Sequence, residues 1–161
     1  MAEEPFVPTG AAFTSGGQSY FLPRMTQAMI DDWEAFAASR AIARIQSMAS
    51  FQKPSENDRA YAELIRQIKV GSLAWDTEDG FESRRTLDGL LHVCWIALRA
   101  QGTTVSANNG KDQHPITLAD VQAIAKREGG DFLYAKYLMA NADPTAPPSA
   151  SSEAAANSAA G

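Results

Sequence analysis

The chain has 161 residues, one cysteine and a net charge of −5, with 45% apolar and 20% charged residues. That length supports a single domain with its own core, and the composition is that of an ordinary globular protein. A lone cysteine, Cys94, excludes an intramolecular disulfide; scattered Lys and Arg in an acidic chain argue against a nucleic-acid face; and no run approaches the ~18 apolar residues of a membrane span.

Residues 1–22 read as an N-terminal arm and hairpin. Pro5, Pro8 and Gly10 make the first ten residues an extended arm. The acidic start, Met1-Ala2-Glu3-Glu4-Pro5, lacks the basic and then apolar character of a secretory signal, so a cytoplasmic protein is expected. Gly16-Gly17 separates two short β-prone runs, 11–14 and 19–22, which predicts a β-hairpin. A hairpin is marginal alone in water, so this one must rest on the helices or on a partner.

A helical domain is assigned to residues 23–142. Pro23 ends the second strand, and a long helix is predicted over 24–51. Its stripe is Met29, Trp33, Phe36, Ala37, Ala41, Ile45 and Met48, at helical spacings. Lys53-Pro54 breaks it. The next helix turns Tyr61, Leu64, Ile65, Ile68 and Ser72 inward and loosens at Gly71. Trp75 and the acidic loop 76–79 then precede a third helix, 81–100, whose apolar set is Leu87, Leu90, Leu91, Cys94, Trp95 and Leu98. This is the cleanest helical pattern in the chain, and it predicts the central core helix. Residues 103–113 read as an exposed loop by composition. Thr117 and Asp120 form a capping-box start behind Ile116 for a helix bearing Leu118, Val121, Ile124 and Ala125. Gly129-Gly130 closes it, and Asp131 is placed to cap a fifth helix carrying Phe132, Leu133, Tyr134, Tyr137 and Leu138.

From residue 143 onward, fifteen of nineteen residues are Ala, Ser, Pro or Gly, too little apolar surface to offset ordering entropy, so a disordered tail is expected. The expected fold is therefore mainly α: about five helices, a short N-terminal β-hairpin and a disordered C-terminal tail.

Candidate chemistry is sparse. His92, His114 and Cys94 cannot supply the three or four ligands of a zinc site. Read as a calcium loop from Asp76, the sequence puts Phe81 and Leu87 where the pattern needs Gly and Glu. No P-loop, dinucleotide fingerprint or nucleophile elbow occurs, so no enzyme, metal or cofactor is expected. Helix, Gly129-Gly130, helix has a helix-turn-helix outline, but Phe132-Leu133-Tyr134 stands where polar base-reading side chains are wanted. The Met-bearing amphipathic surfaces (Met25, Met29, Met48, Met139) suit adaptable binding of a client helix. Candidate partner-binding residues are Met25, Met29, Trp33, Phe36, Trp75, Tyr134 and Tyr137; core packing is the other reading of each.

One order of features is familiar: a hairpin ending in Tyr20-Phe21-Leu22-Pro23, then Gly80-Phe81 with Leu90, Leu91, Trp95 and Leu98, then His114-Pro115-Ile116-Thr117-Leu118-x-x-Val121. Over residues 13–142 this resembles the tail assembly chaperones of long-tailed bacteriophages and related phage-like particles. The resemblance implies a non-catalytic protein of the host cytoplasm, without cofactor, that coats the helical tape measure protein and helps bring tail tube subunits to it. Self-association is compatible with that role, whereas nucleic acid and membrane are not expected partners. It further implies that a frameshifted longer form can exist, which the Ala/Ser/Pro tail would suit as a connector. The alternatives are a small structural protein retained in the virion, in tail or head, and a helical adaptor or helix-turn-helix DNA-binding protein.

Overall fold

In the computed structural model the described residues are 9–69, 71, 73–107 and 110–142. Most of the expected N-terminal arm, Ser72 and the expected tail lie outside them. The elements run β1 (Gly10–Ser15), β2 (Gln18–Pro23), α1 (Gln27–Met48), α2 (Pro54–Lys69), α3 (Glu78–Arg85), α4 (Leu87–Ala100), β3 (Thr104–Ala107), β4 (Asp112–Pro115), α5 (Leu118–Glu128) and α6 (Gly130–Asn141). The fold is mainly α, with two separate antiparallel hairpins, β1–β2 and β3–β4.

The Gly-Gly signal holds. Gly16 and Gly17 take φ of +56° and +77°, the pair of left-handed residues that a two-residue hairpin turn demands. Alternation then places Ala11, Phe13 and Ser15 of β1 and Tyr20 and Leu22 of β2 on one buried face. Phe13 stacks on Tyr20 across the strands, with ring centroids 5.2 Å apart, and meets Phe132 of α6 edge-on at 5.8 Å. Arg127 of α5 lies over Gly16 and donates from Nε to the buried Ser15 hydroxyl at 3.1 Å. The helices are thus the platform that the hairpin needs.

Helix α4 is the centre. Gly89, Leu90, Leu91, Val93, Cys94, Ile96, Ala97 and Leu98 are all buried, so it is enclosed on nearly every side rather than along one stripe. It packs against α1, α3, α5, α6 and β2. One residue departs from the expected set: Leu87, at the helix start, is 58% exposed. Similar corrections apply to Met48 of α1, Tyr61 of α2 and Leu138 of α6, whose apolar periodicity suggests burial but which stand exposed because, among the described residues, no element covers those turns.

The single helix expected over 81–100 is two, broken at Thr86. Thr77 and Thr86 play the same part nine residues apart in the sequence, within Thr77-Glu78-Asp79-Gly80 and Thr86-Leu87-Asp88-Gly89. Each threonine accepts from the N–H of its glycine at 3.1 Å and donates its hydroxyl to a carbonyl three residues back, Ala74 O or Ser83 O, at 2.7 Å. A Cβ on either glycine would overlap that same carbonyl oxygen. Thr26 and Thr117 cap α1 and α5, so four helices start on threonine. The expected capping box is present: Asp120 N–H donates to Thr117 Oγ1 at 3.3 Å, and Thr117 N–H to Asp120 Oδ2 at 2.8 Å. Asp131, expected as a cap, instead lies in the first turn of α6, where Gly129 (φ +95°) is the cap and no side chain closes it.

The stretch read as a loop, 103–113, contains most of a second hairpin, β3–β4. Its anchors are remote polar groups. The Gln18 side-chain amide donates to Thr104 O at 2.6 Å and accepts from Ser106 N–H at 3.2 Å, imitating a neighbouring strand. Trp95 Nε1 donates to Ile116 O at 3.1 Å.

Gly89→Ala separates propensity from packing. Alanine would favour an open helix by about 1 kcal/mol, but here its Cβ meets the Ser83 carbonyl. The variant is expected to lose about 1–3 kcal/mol of stability, read as a lower midpoint in urea; a raised midpoint would show that the junction yields without cost.

Candidate functional site

The seven aromatic and Met residues proposed from sequence for partner binding are mostly structural. Met29 is buried and Trp33 has no exposed surface, so neither can meet a client; both belong to the core under α1. Met25, Phe36, Trp75, Tyr134 and Tyr137 are half-buried and packed against that core. The Met25 N–H donates to Asn141 Oδ1 at 3.0 Å, tying the start of α1 to the end of α6. Phe36 stacks on His92 with centroids 3.5 Å apart. Tyr134 alone among the seven also lines an open hollow.

Four of the seven gather around a residue the sequence reading passed over. Arg84 of α3 is buried, with its guanidinium 3.8 Å from the Trp75 ring centroid and 5.3 Å from that of Trp33. The two indoles meet edge-on at 5.5 Å. Arg84 Nη1 donates to Trp75 O at 2.6 Å, while Trp75 N–H donates to Glu34 Oε1 at 2.7 Å. Burial pulls the Arg84 pKa down, and Tyr137, Glu34 and Tyr134 oppose that shift by favouring its charge. Tyr134 stacks on Tyr137 at 6.3 Å. The cluster joins α1, α3, α6 and the segment before α3 around one cation. It is a fastening rather than a site, because the guanidinium is enclosed by its own chain.

Trp33 Nε1 and Asn57 Oδ1 are buried with no hydrogen-bond partner among the described residues. Burial pushes the Cys94 thiol up to about 12, so no thiolate forms near neutrality. His114 Nε2 sits 3.0 Å from Asp120 Oδ2, beside the α5 cap. Burial would raise the Asp120 pKa, but the hydrogen bonds from Thr117 and His114 outweigh it and the net shift is downward. Among the described residues no group of three or more His, Cys, Asp or Glu is placed to hold a metal ion, and no helix is long and apolar enough to cross a membrane.

The open apolar surface lies elsewhere, on an arm formed by α1 and α2. The first half of α1 packs on α4 through Met29, Trp33 and Ala37. Beyond Ala37 the helix leaves the core and its main neighbour is α2, which buries only Leu64. Between them runs a trough of about 470 Å³, lined by the apolar Ala37, Ala41, Ile45, Ala60, Leu64 and Leu73 and by Arg40, Arg44, Glu63, Gln67 and Ser83. It continues past Arg40 and Arg44 into a hollow walled by Asp79, Glu82 and Asp88. Arg40 pairs with Asp88 across this join. At the arm's end Met48 and Phe51 stand exposed, Phe51 by 89%. The signal was present in the sequence: the α1 stripe through Ala41, Ile45 and Met48 is longer than the core it could cover.

Comparison with family models, with curated proteins and with solved structures finds no match.

Two predictions concern the fastening and the histidine. Arg84→Lys keeps the charge but loses the planar contact and the forked donor set. It is expected to lower unfolding stability by about 2 kcal/mol; an unchanged urea midpoint would refute the role given to Arg84. His92, half-buried on Phe36, has its pKa lowered by burial first and by Arg40 second. Its Nδ1 lies 3.2 Å from Asp88 O. The folded state therefore prefers the neutral ring. Its contribution is complete above the ordinary imidazole pKa of about 6.5 and is lost as pH falls through that value toward the depressed one. Melting temperature should drop on acidification in that window, and His92→Phe should flatten that part of the slope.

Proposed function

We propose that this chain is a non-catalytic assembly chaperone of the phage tail type, and that the α1–α2 arm holds an apolar helical segment of the tape measure protein. The carrying observation is the trough itself. Its alanines let a client backbone approach closely, and the half-buried Ile45 supplies apolar contact along the same line. From Ala37 to Ile45 the floor extends about 12 Å, enough for two turns of helix. A helix laid in such a groove contributes residues at i, i+3, i+4 and i+7. The exposed Met48 and Phe51 at the arm's end extend the apolar path; Met in particular adapts to varied clients. Delivery to tail tube subunits belongs to the same reading, since a groove open along its length can be vacated from one end.

Co-expression tests the reading. The full chain should increase the soluble yield of a candidate tape measure protein several-fold and co-purify with it. Ala41→Arg, which fills the trough from a half-buried position, should abolish both effects while leaving the melting temperature nearly unchanged. Client solubility unaltered by the parent chain would sink the proposal.

A further inference from the structure

Among the described residues the two hairpins have four outer strand edges, and three of them carry a blocking device. In β3 the outward carbonyl of Thr104 and the outward N–H of Ser106 are both taken by the Gln18 side chain. β4 ends on Pro115, which has no N–H to offer. β2 ends on Pro23, and its start is tied to β3 through the same Gln18. β1 has none of these. Gly10–Ser15 contains no proline and no charge, and its register with β2 runs without a bulge.

The ladder fixes which groups β1 presents. Arg24 N–H donates to Thr9 O at 3.0 Å, which makes 9 and 24 a bonded pair. Bonded pairs recur at every second residue, Ala11 with Leu22, Phe13 with Tyr20 and Ser15 with Gln18. The N–H and C=O of Gly10, Ala12 and Thr14 therefore point outward. Among the described residues no group is hydrogen-bonded to them, and Ala12 and Thr14 are exposed.

An unpaired strand edge takes another strand, and the strand that fits this one is β1 itself. Laid antiparallel on its copy about a two-fold axis at Ala12, it sets Ala12 opposite Ala12 and Gly10 opposite Thr14, and every outward N–H and C=O from 10 to 14 finds a partner. The side chains match in that register. On the helix side Phe13 stands opposite Ala11 of the copy, large against small. On the open side Thr14 stands opposite Gly10, where the Phe21 ring fills the space a Cβ would need and offers its apolar face to the threonine methyl. No charge meets its like at any of these positions.

We infer that β1 pairs with the β1 of a second copy, joining two hairpins into one four-stranded antiparallel sheet. The edge shares no residue with the α1–α2 trough, so the inference stands apart from the client reading.

Sedimentation equilibrium of the full chain, from micromolar to submillimolar concentration, tests this. The parent should show a reversible monomer–dimer equilibrium. Ala12→Pro removes the outward N–H at the centre and no bond of the β1–β2 ladder, so it should leave a monomer with the parent's circular dichroism. Ala12→Lys and Ala12→Glu each set like charges opposite one another across the axis and should each weaken the dimer about tenfold or more. Because Ala12 meets its own counterpart, an equimolar mixture of these two variants should associate at least as tightly as the parent. A chain that stays monomeric throughout, a dimer indifferent to Ala12→Pro, or a mixture no tighter than its components would each overturn the inference.

Discussion

Helix α4 can exist only if something covers most of its circumference, because eight of its fourteen residues are buried and, apart from its end residues, they leave open only the stripe of Asp88, His92, Trp95 and Arg99. A helix apolar over that much of its surface cannot rest on one neighbour. The first half of α1, the short α3, the α5–α6 pair and strand β2 each take a share of that surface. Their own amphipathic faces are satisfied in the same contacts, so one enclosed helix organises the domain. α2 is the exception. It meets chiefly α1, and at a point where α1 has already left the core. The open trough is the direct result: among the described residues the apolar stripes of these two helices are covered by each other, with Leu73 and Ser83 alongside.

Large aromatic side chains on amphipathic helices usually mark either a core or a contact surface, and here the structure divides them. Trp33, Trp75 and Tyr137 are drawn inward by Arg84. A guanidinium is weakly hydrated and planar, so indole faces and one backbone carbonyl can replace much of what water gave it. The exposed large apolar residues are of both kinds, Leu87, Leu138, Met48 and Met139 with Phe51, Tyr61 and Phe81, and none of them touches the Arg84 indole cluster except Phe81, whose ring lies 5.9 Å from the guanidinium.

Features governed by near neighbours in the chain were legible. The Gly16-Gly17 turn, the Thr117–Asp120 cap, the buried Cys94 and the density of apolar residues in α4 all follow from short-range chemistry. What was hidden depends on distance. The break at Thr86 is faintly marked: the apolar spacing begins only at Leu87, with Phe81 the one large apolar residue in 78–86, and Thr-x-Asp-Gly recurs there. The β3–β4 hairpin carries one half-buried branched residue, Val105, and so offers no alternation to read. Its main fixings come from Gln18 and Trp95, which a local pattern cannot reveal, although Asn109-Gly110 was a turn signal in plain view. Arg84 looks like a surface cation by composition, and only the convergence of three elements makes it an interior one. The α1–α2 trough was half legible: its α1 wall is in the stripe, but that the stripe outruns its cover is a fact of three-dimensional arrangement.

The fastening of the first hairpin has a consequence for synthesis. Ser15 receives its bond from Arg127, 112 residues later in the chain. At about 5–20 residues per second, the hairpin waits roughly 6–22 s on the ribosome before that arginine is made. Phe13 lacks its Phe132 contact for longer still. The first element to emerge is therefore among the last to be sheltered. Its Phe13, Tyr20 and Leu22 face gains its α4 neighbour partway through that interval and its α5 and α6 neighbours only at the end of it or later. A chain of this build thus carries, for some seconds, an apolar strand pair that is only partly covered.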